Sequence, residues 1–137
     1  MRPYLGEGIF RYYASPDDFD KKIATCDRAL DIARKFENPY LANETAVVRS
    51  YIRLAKYIYL IAEQVATDDL ATLESQATLR RLLDSLKQAG KENVEEIKAW
   101  RSALGPEPWH YRVHDAIKGT ESTVTDITNI LNDKYFF

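Results

Sequence analysis

Few residues in this chain belong to the types from which reactive centres are built. Cys26 is its single cysteine, so no disulfide can form within it. His110 and His114 are its two histidines, which excludes a three-histidine zinc centre within one chain. His-Glu-x-x-His, a P-loop, a dinucleotide glycine fingerprint and a calcium-loop spacing are all absent. No run approaches the roughly 20 apolar residues that cross a bilayer. Met1-Arg2-Pro3-Tyr4 opens no apolar stretch of signal-peptide length. Nineteen Lys and Arg against 21 Asp and Glu leave a formal charge of −2, which argues against nucleic-acid or anionic-membrane binding driven mainly by charge. These features favour a soluble protein of a reducing, cytoplasmic compartment, although a domain cut from a secreted parent would share them.

What the chain does have is helical periodicity. Its 137 residues, 45% hydrophobic and 29% charged, suit one globular domain. Residues 1–14 read as a leader whose glycines oppose a regular helix while Ile9, Phe10, Tyr12 and Tyr13 offer apolar surface. It is either an extended arm packed across the domain or a linker from a preceding one. Residues 15–137 read as a single all-α domain, an antiparallel bundle of about four helices.

Ser15-Pro16-Asp17-Asp18 is a helix start: a capping hydroxyl, a proline where its missing N–H costs nothing, and negative charge at the positive end of the dipole. Phe19, Ile23, Cys26, Leu30 and Ala33 then draw one apolar stripe, which places Cys26 in the core as an unreactive thiol. Asn38-Pro39 ends that element and opens the next. The second helix carries the widest stripe, from Leu41 through Val47, Val48, Tyr51, Leu54 and Ile58 to Val65. Thr67-Asp68-Asp69 predicts the start of a third helix. Leu79, Leu83, Leu86, Gly90, Val94 and Ile97 keep one phase straight through the glycine, so that helix is long, or bent near Gly90. Gly105-Pro106-Glu107-Pro108 breaks the chain, and Pro108 is read as opening a final helix with His110, Val113, Ile117, Thr120, Val124, Ile127 and Leu131 on its seam. Lys134-Tyr135-Phe136-Phe137 is expected to fold back onto one end of the bundle.

Three polar or aromatic groupings deserve a functional reading. Arg49, Arg53 and Lys56 make a basic stripe on the second helix and, with Tyr57, a candidate patch for a phosphate, an acidic peptide or RNA. Arg80 and Arg81 add to it if the helices lie side by side. Salt bridging to neighbouring helices is the plainer expectation. Glu107, His110 and His114 are candidate metal ligands, since Glu-x-x-His is the spacing of carboxylate-bridged metal bundles. Such sites need the motif twice, however, and here there is one copy with Pro108 inside it. No metal and no cofactor is therefore expected. Finally Tyr12, Tyr13, Tyr40, Tyr57, Tyr59, Trp109 and Tyr111 fall at the margins of the stripes, where aromatics with polar tips suit protein interfaces.

The leading expectation is a non-catalytic helical interaction or accessory domain, free-standing or excised from a larger protein, that meets a protein partner or an adjoining domain. The alternative is a small-ligand-binding or metal-dependent enzyme bundle that uses His110 and His114 beside a carboxylate such as Glu44 or Glu63.

Overall fold

The computed structural model describes residues 15–67 and 72–136, and four α-helices account for nearly all of them. The leader reading for residues 1–14, including its aromatics, lies outside the described residues, as does Phe137. Helix α1 spans Pro16–Lys35, α2 Pro39–Thr67, α3 Leu73–Ala103 and α4 Tyr111–Lys134.

The start of α1 follows the sequence signal. Asp17 and Asp18 occupy its first turn, and the Asp18 carboxylate accepts the Ser15 N–H at 3.2 Å. At its other end the Asn38 and Glu37 amides donate back to the Ala33 and Arg34 carbonyls at 2.8 and 3.1 Å, a Schellman-type closure. That closure puts Glu37 at φ 52°, in the left-handed region that favours glycine. Asn38 then caps α2: its Oδ1 accepts the Leu41 N–H at 3.1 Å.

Two expected boundaries move. Thr67 is the last residue of α2 and not the cap of α3. Thr72 takes that role, its hydroxyl oxygen accepting the Ser75 N–H at 3.1 Å. Leu73, the first residue of α3, is 88% exposed. Likewise Pro108 does not open α4. His110 is extended (φ −60°, ψ 144°) and its Nδ1 accepts the Arg112 N–H at 3.2 Å, so the helix begins one residue later. Asp68 and Asp69, the acidic pair of the expected start, lie outside the described residues; at α4 the His110 side-chain cap outranks the proline two residues before it.

Gly90 lies inside an unbroken α3 of 31 residues, about 46 Å long at 1.5 Å per residue. A Cβ built on Gly90 would stand 2.7 Å from Val124 Cγ2, so the missing side chain is what lets α4 approach. Close helix packing runs in chain order, α1 on α2, α2 on α3 and α3 on α4, with the α2–α3 contact the most extensive. Cross-helix pairs make each neighbour antiparallel: Asp20 with Lys56, Asp27 with Arg49, Ser50 with Asn93, Asn93 with Thr120. The α1–α2 turn and the α3–α4 connection therefore share one end of the bundle.

The apolar interior falls into three clusters. The largest joins Leu54, Ile58 and Ile61 of α2 to Leu79, Leu83, Leu86 and Ala89 of α3 and Leu131 of α4. Tyr135 and Phe136 pack against this cluster, and the Arg80 guanidinium lies 4.1 Å from the Phe136 ring centre. The second joins Phe19 and Cys26 to Ile52 and Ala55, with the Phe19 and Tyr59 rings 5.4 Å apart. The third joins Val94 and Ile97 to Val113 and Ile117, flanked by Val47, Trp100 and Trp109.

Candidate functional site

The stripe on α2 is wider than its neighbours can cover. With α1 packed on one side and α3 on the other, Leu41 and Val48 remain in solvent, Val48 at 51% exposure. Beside Val48 a groove of about 430 Å³ opens between α2, α3 and α4, near the end that carries the α1–α2 and α3–α4 connections. Val47, Val48, Tyr51, Ile97, Trp100 and Val113 provide most of its wall, and the wall surface is overwhelmingly apolar. Val48 also borders a smaller cleft of about 240 Å³ between α1 and α2, where it meets Leu41, Cys26 and Thr45. The two clefts thus meet along α2, and exposed Tyr40, Leu104 and Tyr111 stand at the same end of the bundle.

The floor of the groove contains the most deeply buried polar group. Asn93 is 1% exposed, Thr120 2% and Ser50 4%. Thr120 Oγ1 donates to Asn93 Oδ1 at 2.8 Å, Asn93 Nδ2 donates to Ser50 Oγ at 3.0 Å, and Ser50 Oγ donates to the Val47 carbonyl at 2.8 Å. This relay ties α4 to α3 to α2 at one level of the bundle. Among the described residues no buried side-chain nitrogen or oxygen is left without a partner. Arg112 stands on the groove rim, its Nε donating to the Tyr111 hydroxyl at 3.4 Å, with no carboxylate within ion-pair distance among the described residues.

The basic stripe on α2 is matched by acids from the flanking helices. Arg49 pairs with Asp27 of α1 at 2.6 Å, Lys56 with Asp20 of α1 at 2.7 Å, and Arg53 with Glu92 of α3. Tyr57 packs against the largest core cluster, with Lys56 Nζ 5.8 Å from its ring centre. Arg80 does not extend this stripe, since it is engaged with Phe136 in the last described segment, while Arg81 donates to Thr78 at 3.1 Å.

The histidines do not share a helix face, because His110 precedes the first turn of α4. Its ring lies 4.4 Å from that of Tyr111, and the His114 ring stacks 5.7 Å from Trp109. The Glu107 carboxylate turns toward Gly105, and its carbonyl accepts from Arg101 at 2.8 Å. Neither histidine lines the groove, and no group of three or more potential metal ligands occurs among the described residues. Glu63 is bonded to Tyr59, whose phenol is pushed up by partial burial and by that carboxylate. Burial pushes the Cys26 thiol up as well, with Asp27 adding to the shift.

No helix among the described residues is long and apolar enough to cross a membrane. Comparison with protein-family models, with curated proteins and with solved structures finds no match to this chain. Sequence reasoning missed the groove and the Ser50–Asn93–Thr120 relay beneath it. A readable signal for the relay did exist: Asn93 is three residues after Gly90 and seven after Leu86, an amide in the phase of the α3 seam.

Proposed function

We propose that this chain is a non-catalytic interaction module whose docking surface is the groove between α2, α3 and α4. The observation that carries the reading is the pairing of an apolar wall with Arg112 on its rim, a cation with no carboxylate within ion-pair distance among the described residues. Water is expelled when an apolar segment fills such a cleft, and each buried methylene contributes about 0.8 kcal/mol. The occupant that fits is a protein segment with apolar side chains at helical spacing and a carboxylate placed to meet Arg112. Helix-in-groove recognition uses this combination, anchors along one face with a charged pair at the edge to set direction. An enzyme that works through His110 and His114 has less support, because the first is held as a helix cap and the second is stacked on Trp109.

Selection of a random peptide library on the full chain tests the reading, with Val48→Glu as the counter-target. Val48 is half exposed, so the substitution places a charge in the wall without disturbing the core. Recovered peptides should share apolar residues at i, i+3 or i+4 and i+7 with an acidic residue, and should bind the Val48→Glu chain at least about tenfold more weakly. Peptides that bind both chains equally would refute the groove as the docking surface.

A further inference from the structure

We infer that the occupant of this groove is a second copy of the chain: two copies stand side by side with their helices parallel, and each lays the outer ridge of its α2 against the groove of the other. The inference rests on the groove being the docking surface and names what docks there.

The ridge carries the chemistry that the groove accepts. Leu41, Glu44 and Val48 stand at i, i+3 and i+7 of α2 and so form one stripe. Leu41 is 41% and Val48 51% exposed, and Glu44 is exposed between them. α1 turns the short side chains of Thr25, Cys26 and Ala29 toward this stripe and leaves it unroofed. Glu44 has no cation within ion-pair distance among the described residues, just as Arg112 has no carboxylate. The groove separates the two within one chain. Two apolar anchors around a carboxylate thus lie beside an apolar wall rimmed by a cation, which makes this face complementary to itself.

Register decides the orientation. The Ser50–Asn93–Thr120 relay marks one level on α2, α3 and α4. Counted from it toward the α1–α2 turn at about 1.5 Å per residue, Val48 lies about 3 Å away, Glu44 about 9 Å and Arg112 about 12 Å. Trp100 and Val113 of the groove wall fall at about 10 Å, level with Glu44. A two-fold axis parallel to the helices leaves every level unchanged. It sets Glu44 of each copy beside the partner's Arg112 and lays Leu41 and Val48 along the partner's groove. An axis perpendicular to the helices at Val48 would instead carry Glu44 about 15 Å from Arg112. Shifting that axis until the charges meet would push Val48 past the first residue of the partner's α2 and leave it in water. The parallel pairing alone satisfies charges and anchors together. Val48, which belongs to the ridge and to the groove wall alike, then falls nearest the axis.

Reversing one charge in each of two chains tests this. Glu44 and Arg112 are both exposed, so Glu44→Arg and Arg112→Glu leave the bundle folded, as circular dichroism will check. Sedimentation of the full chain across about 1–500 μM, the weak end of the range for protein interfaces, should show a monomer–dimer equilibrium. Either substitution alone sets like charges against each other at both contacts and should raise the dimer dissociation constant at least about tenfold. An equimolar mixture of the two variants should recover the dimer, since each contact of the mixed pair again joins a cation to a carboxylate. A parent chain monomeric throughout, single variants that dimerise as the parent does, or a mixture no better than its components would each overturn the inference. Failure of the groove itself reads differently. Peptides indifferent to Val48→Glu remove the docking surface, whereas peptides that lose affinity for Val48→Glu while the parent chain stays monomeric leave the surface standing without this occupant.

Discussion

Asn93→Ala is the most informative single perturbation of this fold. The substitution removes two hydrogen bonds at a position 1% exposed and leaves Thr120, 2% exposed, without the acceptor for its hydroxyl. Such an orphan costs about 1–3 kcal/mol. The only local relief for Thr120 is its own i−4 carbonyl, a bond that bends a helix slightly. Ser50 fares better, because its donor bond to the Val47 carbonyl survives. Removing the carboxamide also leaves a small cavity, which adds about 1 kcal/mol. The total is a loss of about 2–4 kcal/mol. With an unfolding entropy of roughly 2.1 cal/mol/K per residue, 137 residues give about 0.29 kcal/mol/K, so Tm falls by about 7–14 °C.

Urea denaturation followed by circular dichroism measures this, and a cycle with Thr120→Val locates it. If the relay is the cause, the two substitutions couple by about 1–2 kcal/mol, because the second removes the orphan that the first creates. The triple change Ser50→Ala, Asn93→Leu, Thr120→Val should return within about 1 kcal/mol of the parent, since apolar replacement of a whole network leaves nothing unpaired. An Asn93→Ala loss below about 0.5 kcal/mol, which is the scale of ordinary surface substitutions, would refute the reasoning.

Gly90→Ala should destabilise by about 1 kcal/mol despite alanine's better helix propensity, because a stiff Val124 stands 2.7 Å from the new Cβ; on a Val124→Ala background the same change should stabilise, as denaturation midpoints will show. Glu37→Gly should raise stability by about 0.5–1 kcal/mol by relieving the left-handed backbone at the end of α1, read as an increase in Tm. Leu54→Ala should cost about 2–5 kcal/mol in the same assay, given that its side chain is fully enclosed. Cys26 should react slowly with an aqueous thiol reagent in the native state. Its raised pKa means that the unfolded chain ionises first, so its contribution is fully present below the ordinary thiol value of 9.0 and is lost as pH climbs through the folded value; Cys26→Ala should remove that alkaline loss.

The parts of this fold that were legible are those fixed by periodicity alone. Phe19, Cys26, Leu30 and Ala33 are buried on one face of α1 as their spacing demands, and Leu79 to Ile97 hold phase through Gly90 because α3 packs against two neighbours there. The boundaries that moved are those where the sequence offers two candidate starts within a few residues, at Thr67 and Thr72 and at Pro108 and His110. A sequence shows both candidates, but only the folded backbone shows which side chain reaches a free amide. The groove was illegible for a different reason. A stripe such as that on α2 announces how much apolar surface a helix offers and says nothing about how much its neighbours will cover.

That uncovered remainder and the relay beneath it belong to one arrangement. Packing in chain order leaves α1 and α4 without extensive contact, so α2 is clasped firmly by α1 and α3 while α4 leans mainly on α3. An apolar seam alone would let α4 slide or close over Val47 and Tyr51. Two directional hydrogen bonds through Asn93 fix its register instead, since a one-turn slip would strand Asn93 and Thr120 in a dry interior. The groove is then held open before any segment arrives. Under the proposed docking role, a cleft formed in advance would spare its occupant the cost of ordering it, which is the general route by which modest apolar contacts become specific binding. Loss of the Asn93 relay should therefore weaken capture of groove-binding peptides even at temperatures where the bundle remains fully folded, and peptide affinity unchanged in Asn93→Ala would separate the relay from the site.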